Sequence, residues 1–184
     1  IPLVDISRQH EPLLDEFRAA FDAVLSSGRY HLGPQTAAFE REFAAHEGAE
    51  VGVCCGSGSD ALYLALRALD IGEGDAVVTV SNSFLATAES IARTGATVLF
   101  AEPDPVSYTM DPQDLVKVMR GPDGDRVKAI IPVHLYGRRA DIKGIRSALR
   151  QTGYSNVTVI GDAAQAHGSP GVGGETDITC YSFY

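Results

Sequence analysis

The chain has 184 residues, of which 45% are hydrophobic and 21% are charged, and these proportions are ordinary for a soluble globular protein. Its formal net charge of −9 would repel nucleic acids and anionic membrane surfaces, so neither class of partner is expected. No apolar run reaches the length of a membrane span. The three cysteines lack metal-ligand spacing, which predicts reduced thiols, a cytoplasmic location and no metal site.

The first part of the chain, residues 1–50, is predicted to form a helical arm. Apolar residues recur there at helical spacing: Leu14, Phe17, Phe21 and Val24. This pattern predicts a helix that ends at Ser26–Gly28, and a second helix is predicted after Gly33–Pro34. We expect this arm to lie on the sheet domain or on a partner subunit.

From residue 51 onward, strand-like and helix-like patterns alternate. The segments predicted as strands are Val51–Cys55, Ala76–Val80, Thr97–Phe100, Val127–Val133, Val157–Ile160 and Ile178–Phe183. The segments predicted as helices are Ser59–Leu69, Phe84–Thr94, Pro112–Met119 and Asp141–Gln151. Repeated strand–helix–strand units predict an α/β fold with a mostly parallel sheet sandwiched by helices.

The loop between the first predicted strand and the first helix of this series is a candidate anion site. Gly56 and Gly58 let the backbone approach a ligand closely, and Ser57 and Ser59 add hydroxyl donors. A helix start also offers free N–H groups and the positive end of the helix dipole. A simple helix cap at Ser59 is compatible with the same residues. The glycines also satisfy the loose dinucleotide-binding fingerprint, but the second predicted strand ends without the acid that would hold a ribose.

Asp162 and Phe84 each follow a predicted buried strand. A parallel strand places its last residue at the carboxyl edge of the sheet, and a buried carboxylate there needs a cation or strong donors. The protonated ring nitrogen of pyridoxal phosphate would be one such cation. The alternative for Asp162 is a cap for the loop or for the next helix. Phe84 could stack on a flat ligand or could belong to the core.

A series of motifs resembles one known family over essentially the whole chain. In chain order they are Ile1–Asp5, Ser27–Pro34, Phe39–Glu40, Ser57–Leu62, Phe84–Thr87, Ile131–Gly137, Asp162–Gly168 and Ser182–Tyr184. Together they resemble the DegT/DnrJ/EryC1/StrS group of sugar aminotransferases, which are pyridoxal-phosphate enzymes. The resemblance implies that residues 51–184 are part of the large domain of a fold-type I aminotransferase, ending before its smaller carboxyl-terminal domain.

The resemblance also implies roles for individual residues. It assigns these residues to the cofactor: Gly58, Ser59, Phe84, Asp162, Gln165 and Ser182. Asp162 would act in catalysis by pairing with the ring nitrogen, Phe84 and Gln165 would contact opposite sides of the ring, and the others would hold the phosphate. Candidate contacts to the substrate are Arg29, Tyr30, His31, His134, Tyr136 and His167.

The activity implied by the resemblance is transfer of an amino group, usually from glutamate, to a nucleotide-linked keto-deoxysugar by a homodimeric enzyme. In the family, the lysine that binds the cofactor comes three residues after the position of Tyr184. The related deoxysugar 3-dehydratases carry a histidine in place of that lysine. The alternatives are therefore such a dehydratase, or a pyridoxal-phosphate-binding protein without catalytic activity.

Overall fold

The computed structural model describes residues 3–184, so Ile1 and Pro2 of the first motif lie outside the described residues. The chain forms two compact units. The first contains the residues up to Ala44 together with Val51–Cys54, and the second contains Ala45–Glu50 and Cys55–Tyr184.

The secondary structure of the first unit is helical. Its helices are α1 (Ile6–His10), α2 (Leu14–Ser27) and all but the last turn of α3 (Pro34–Glu47). Gly28 ends α2 in the left-handed conformation, with φ of 63°, which a residue without Cβ adopts at little cost. No residue of α1 or α2 is buried, and Phe17 and Phe21 are exposed. The packing of this arm therefore remains a prediction.

The second unit contains a five-stranded sheet with the order β2-β1-β3-β4-β5. Its strands are β1 (Ala76–Val80), β2 (Thr97–Ala101), β3 (Val127–Ile131), β4 (Thr158–Asp162) and β5 (Ile178–Cys180). Every pair of neighbouring strands is parallel, so all five strands end at the same edge of the sheet. The predicted α/β class is confirmed.

Helices cover both faces of this sheet. They are α4 (Gly58–Ala68), α5 (Leu85–Ala92), α6 (Pro112–Met119) and α7 (Ile142–Thr152). Consecutive residues of a strand point to opposite faces, so Val77 packs with the residues of α4 and α5, whereas Val78 packs with those of α6 and α7. The sheet is thus sandwiched by helices, and its loops are left at the carboxyl edge, where ligands bind in such folds.

One predicted strand, Val51–Cys55, is wrong. Residues 51–55 have no strand assignment, and Val51 and Val53 are exposed. The backbone N–H of Cys54 donates to Glu40 Oε1 at 2.8 Å rather than to a neighbouring strand. A β-branched alternating segment becomes a strand only beside a partner that completes the ladder, and the described chain provides none here.

His134 is a buried residue of the loop that follows β3. Its side chain is fully buried, and Nδ1 accepts a hydrogen bond from the Ala140 N–H at 3.1 Å. Its Nε2 has no partner among the described residues and lies beside Gly161, where an added Cβ would come within 3.1 Å of it. Burial lowers the pKa of His134 to about 4. His134 is therefore neutral and buried within the described chain, and its contact with the substrate remains a prediction.

We expect the free energy of unfolding to fall as the pH decreases from about 6.5 to about 4, because His134 takes up a proton in the unfolded chain but not in the folded one. The shift of this pKa corresponds to a change of about 3 kcal/mol in the free energy of unfolding. His134→Asn should remove that dependence, since an amide oxygen can still accept from Ala140 without titrating. Urea unfolding at a series of pH values measures both proteins, with exposed His31→Asn as the control. An identical pH dependence in wild type and His134→Asn would contradict this account.

Candidate active site

The carboxyl edge of the sheet brings together residues that are far apart in the sequence. β4 ends at Asp162, and Ser182 lies shortly after the end of β5. α4 begins at Gly58, where an added Cβ would lie 2.6 Å from the Cβ of Ser182. Thr87 of α5 reaches Asp162 with its hydroxyl group, 2.8 Å from Oδ2. The predicted phosphate loop, Ser182 and the predicted acid therefore share one edge.

The backbone of Asp162 is fixed by the loop that follows β3. Its N–H donates to the Pro132 carbonyl oxygen at 2.9 Å, and its carbonyl oxygen accepts from the His134 N–H at 2.9 Å. On the other side, β5 pairs with it in register at Cys180. Because neighbours on both sides hold the strand end, the direction of the Asp162 side chain is set by the sheet.

The Asp162 side chain is a buried carboxylate without a cation. The residue is only 5% exposed, and no ion pair joins it to a lysine, arginine or histidine within residues 3–184. Burial raises the pKa of Asp162, and hydrogen bonds from the Thr87 hydroxyl and the Ala164 N–H, at 3.2 Å, oppose that rise. The bond to Ala164 shows that the residue does cap its loop, as the alternative interpretation held. It leaves the charge unpaired, so a cationic ligand would gain a strong partner here.

Thr87 is a site residue that sequence reasoning missed. Its buried hydroxyl donates to Asp162 and lies 2.7 Å from the Ser83 hydroxyl. The available signal was a pair of hydroxyl residues, Thr87 and Ser90, on the same face of a predicted helix as the apolar residues Ala86 and Ile91. A buried hydroxyl needs a partner, and here the partner is the acid.

Phe84 is exposed at the start of α5. The residue is 75% exposed, so it lies outside the core that the described residues form. It is the N-cap of α5 and has an extended backbone, with φ of −65° and ψ of 144°. Its carbonyl oxygen accepts from the N–H of Thr87 at 3.1 Å, and Thr87 in turn contacts Asp162, so the Phe84 backbone is tied to the residue that holds the acid.

The predicted anion loop is present, with one correction to its cap. Ser57, not Ser59, caps α4: its Oγ accepts from the Asp60 N–H at 3.1 Å, and its carbonyl oxygen accepts from the Ala61 N–H at 2.9 Å. The N–H groups of Gly58 and Ser59 and the Ser59 hydroxyl make no hydrogen bond within residues 3–184. Free donors at the positive end of a helix favour a phosphate.

Helix α5 joins this loop to the acid. The Ser90 hydroxyl donates to the Ala86 carbonyl oxygen of its own helix at 2.7 Å and lies 3.2 Å from the Ser59 carbonyl oxygen. Thr87, on the same helix, donates to Asp162. One rigid element therefore sets the separation between the donors for an anion and the buried carboxylate. A ligand that carries a phosphate at one end and a protonated ring nitrogen at the other matches this pair.

Gln165 lies in the loop after Asp162 and is exposed. Its Oε1 accepts from the Tyr136 N–H at 2.8 Å, which fixes the side chain and leaves its amide N–H groups available to a ligand. Tyr136 is exposed and has a left-handed backbone, with φ of 54°. The ring of His167 packs edge-on against that of Phe183, with centroids 4.7 Å apart. The roles predicted for Gln165, Tyr136 and His167 remain predictions.

The three other candidate substrate residues, Arg29, Tyr30 and His31, lie in the first unit, in the turn between α2 and α3. All three are exposed, and the Arg29 N–H donates to the Ser27 hydroxyl at 3.1 Å. Their proposed contact with the substrate remains a prediction.

Two further findings concern the part of the chain that the structure describes. It contains no group of three or more histidine, cysteine, aspartate or glutamate residues placed to hold a metal ion. None of its helices combines the length and the apolar character that crossing a membrane requires.

Cys180 lies next to Asp162 across the strand pair and is buried. Burial raises the pKa of its thiol to about 12, so the thiol stays protonated.

Comparison with known proteins gives a consistent match. A model of the DegT/DnrJ/EryC1/StrS aminotransferase family matches residues 13–184. The UDP-N-acetyl-3-dehydro-alpha-D-glucosamine 3-aminotransferase of Acidithiobacillus ferrooxidans is 42% identical, over 100% of this chain and 49% of its own length. The Pleiotropic regulatory protein of Geobacillus stearothermophilus is 41% identical, over 92% of this chain and 44% of its own length. The chain thus spans about half the length of these curated relatives.

Solved structures share the fold. DesV of S. venezuelae is 42% identical and superposes with a TM-score of 0.83, over 91% of this chain and 43% of DesV. NtdA of Bacillus subtilis, solved with bound cofactor PMP, is 28% identical and has a TM-score of 0.86, over 97% of this chain and 40% of NtdA. PMP is pyridoxamine phosphate, the aminated form of pyridoxal phosphate.

The site residues described above fit pyridoxal phosphate. Gly58 and Ser59 would hold its phosphate through their free N–H groups, with Ser182 close by because Gly58 has no Cβ. The ring nitrogen, when protonated, would supply the cation that buried Asp162 lacks. Exposed Phe84 would offer an aromatic surface to the ring.

We expect Asp162→Asn to stabilise the cofactor-free protein and to weaken cofactor binding. Because the pKa of Asp162 is raised in the folded protein, the free energy of unfolding decreases as the pH rises above the ordinary carboxyl pKa. An amide does not ionise and avoids this loss. Binding of pyridoxamine phosphate should weaken about thirtyfold or more, since losing one partner of a buried charge pair costs roughly 2–5 kcal/mol. Thermal unfolding with and without pyridoxamine phosphate measures both effects, and Asp123→Asn, at a surface ion pair, is the control. A less stable cofactor-free variant, or unchanged binding, would refute the assignment.

We expect Gly58→Ala to weaken binding of pyridoxamine phosphate far more than binding of pyridoxamine, because the new Cβ would displace Ser182. Gly56→Ala is the matched control, since a Cβ there meets only the end of the Asp60 side chain, which can turn away. Calorimetric titration of both ligands measures the difference. If the ratio of the affinities for pyridoxamine phosphate and pyridoxamine is the same in wild type, Gly58→Ala and Gly56→Ala, the loop is only a helix cap.

Proposed function

The chain belongs to the DegT/DnrJ/EryC1/StrS aminotransferase family, and from that premise we propose that the protein is a pyridoxal-phosphate-dependent aminotransferase that converts a nucleotide-linked keto-deoxysugar to an amino sugar. The observation that carries this proposal is the buried, cation-free Asp162, joined through α5 to an anion site. The sugar-nucleotide substrate is supported by the name of the Acidithiobacillus ferrooxidans relative.

Each site residue has a definite task in this proposal. Asp162 keeps the ring nitrogen protonated, and Thr87 holds the carboxylate in place by donating to Oδ2. When bound, the cofactor supplies an electron sink that stabilises negative charge next to the amino group. Gly58, Ser59 and Ser182 hold the phosphate, and Phe84 covers one face of the ring and excludes water from it. We expect the amine that binds the cofactor to come from the lysine that the family resemblance places three residues after Tyr184.

The donor, the assembly and the location are further parts of the proposal. Glutamate is the expected donor from the family resemblance. A homodimer is supported by α2, whose apolar residues Phe17 and Phe21 are exposed and which buries no residue within the described chain. The thiols of exposed Cys55 and buried Cys180, neither of which forms a disulfide within the described residues, support a reducing, cytoplasmic setting.

A cofactor-binding regulator without enzymatic activity is the second candidate. It is favoured by one observation, the name of the Geobacillus stearothermophilus relative, a pleiotropic regulatory protein. Both candidates need the same cofactor site, so the structure of the site does not separate them. They differ in whether glutamate and a keto-sugar are converted.

We expect glutamate to convert the bound cofactor to its aminated form, and a nucleotide-linked 3- or 4-keto-6-deoxyhexose to convert it back. Absorbance of the full-length protein follows both half-reactions, and each keto-sugar is offered with and without its nucleotide. Asp162→Asn should retain some cofactor and lose most turnover. Reversal only by free cyclic ketoses or simple keto acids would contradict the substrate assignment. No reaction with glutamate or any other amino donor would favour the regulator.

A further inference from the structure

Glu47 is a buried acid with no task in the function proposed above. It is the last residue of α3, and its side chain is only 5% exposed. A negative charge at the carboxyl end of a helix opposes the helix dipole, so helix stability does not explain an acid at this position. A buried carboxylate must instead be held by donors from elsewhere in the fold.

Two donors hold it, and they come from two different loops of the second unit. The Tyr181 hydroxyl donates to Glu47 Oε2 at 2.6 Å, and the Gly168 N–H lies 3.4 Å from Oε1. His46 Nε2 is 3.9 Å from the same Oε1 but is largely exposed. The loop between β4 and β5 also packs closely here, since an added Cβ at Gly173 would lie 2.4 Å from the Glu47 carbonyl oxygen.

Both loops carry cofactor residues. Gly168 ends the segment that begins with Asp162 and contains Gln165. Tyr181 directly precedes Ser182, which lies against Gly58 at the phosphate site. Burial and the bond to Glu47 raise the pKa of Tyr181, so that its hydroxyl stays protonated and donates. The His167 ring packs against Tyr181 at 5.4 Å, which joins the two loops a second time.

We propose that Glu47 is a positioning residue for the phosphate end of the cofactor site, acting through the Tyr181 hydroxyl to hold Ser182 against the Gly58–Ser59 turn. This proposal rests on the function proposed above, because it takes the anion at that turn to be the cofactor phosphate. The Tyr181 hydroxyl connects Glu47 to the residue before Ser182, at the phosphate end, whereas the contact with Gly168 connects Glu47 to the segment that contains Gln165. Loss of the Tyr181 hydroxyl should therefore leave the binding of a cofactor analogue without phosphate unchanged.

The test compares pyridoxamine phosphate with pyridoxamine in the full-length protein by calorimetric titration. Tyr181→Phe removes one oxygen atom, and Glu47→Leu removes the acceptor. Each should weaken pyridoxamine phosphate binding about tenfold, because a hydrogen bond to a charged group contributes this order of free energy. Pyridoxamine binding should be unchanged in Tyr181→Phe, which leaves the contact between Glu47 and Gly168 intact. Glu47→Gln should restore most of the phosphate preference, since its amide oxygen still accepts from Tyr181.

The matched control is Tyr154→Phe, which removes another tyrosine hydroxyl that donates to a carboxylate, that of Asp125. It should leave both affinities unchanged. The phosphorus resonance of bound pyridoxamine phosphate should move in Tyr181→Phe and not in the control. If the variants weaken both ligands equally, or neither, Glu47 does not position the phosphate site and the proposal is overturned. If the wild type shows no preference for the phosphorylated ligand, the cofactor site itself is wrong.

Discussion

The burial of the Asp162 carboxylate at the end of β4 is the constraint on which the rest of the site depends. A carboxylate that loses its water must be given a cation, be protonated or be bound by strong donors. The protein supplies two donors, Thr87 and Ala164, and no cation within the described residues. It therefore keeps an electrostatic cost that a ligand with a protonated ring nitrogen removes. The unpaired charge of Asp162 thus lowers the stability of the cofactor-free protein, and a cationic ligand gains the free energy that is released when the charge is paired.

The sheet and the helices next to it fix the position of Asp162 relative to the rest of the site. Parallel pairing ends all five strands at one edge, and the loop after β3 and strand β5 hold the backbone of Asp162 from opposite sides. Helix α5 then fixes the acid relative to the start of α4, through Thr87 at one turn and Ser90 at the next. The donors for the anion are backbone N–H groups, which cannot move independently of the helix. Rigid elements of this kind hold a ligand with little entropy to lose on binding.

Much of this arrangement follows from the sequence, and the exceptions have physical causes. β1 and α6 have the predicted bounds because their apolar patterns and the proline at the first turn of α6 are local signals. Val51–Cys55 has an equally strong local pattern but no neighbouring strand within residues 3–184, and a strand cannot form alone. The sequence predicts Ser59 as the cap of α4, whereas the structure has Ser57. Either serine can cap a helix, and the path of the loop determines which one does. Thr87 and Glu47 depend on contacts across 75 and 134 residues, which no local pattern reveals.

The measurement that tests the central claim most directly is the protonation state of the cofactor ring nitrogen in the bound protein. Nitrogen NMR of pyridoxamine phosphate labelled at the ring nitrogen reports this state, because protonation moves the resonance strongly. The account predicts a protonated nitrogen in the wild type at a pH well above that at which the free ligand loses its proton, and an unprotonated one in Asp162→Asn. A bound cofactor whose nitrogen is unprotonated in the wild type, or equally protonated in both proteins, would contradict the pairing with Asp162.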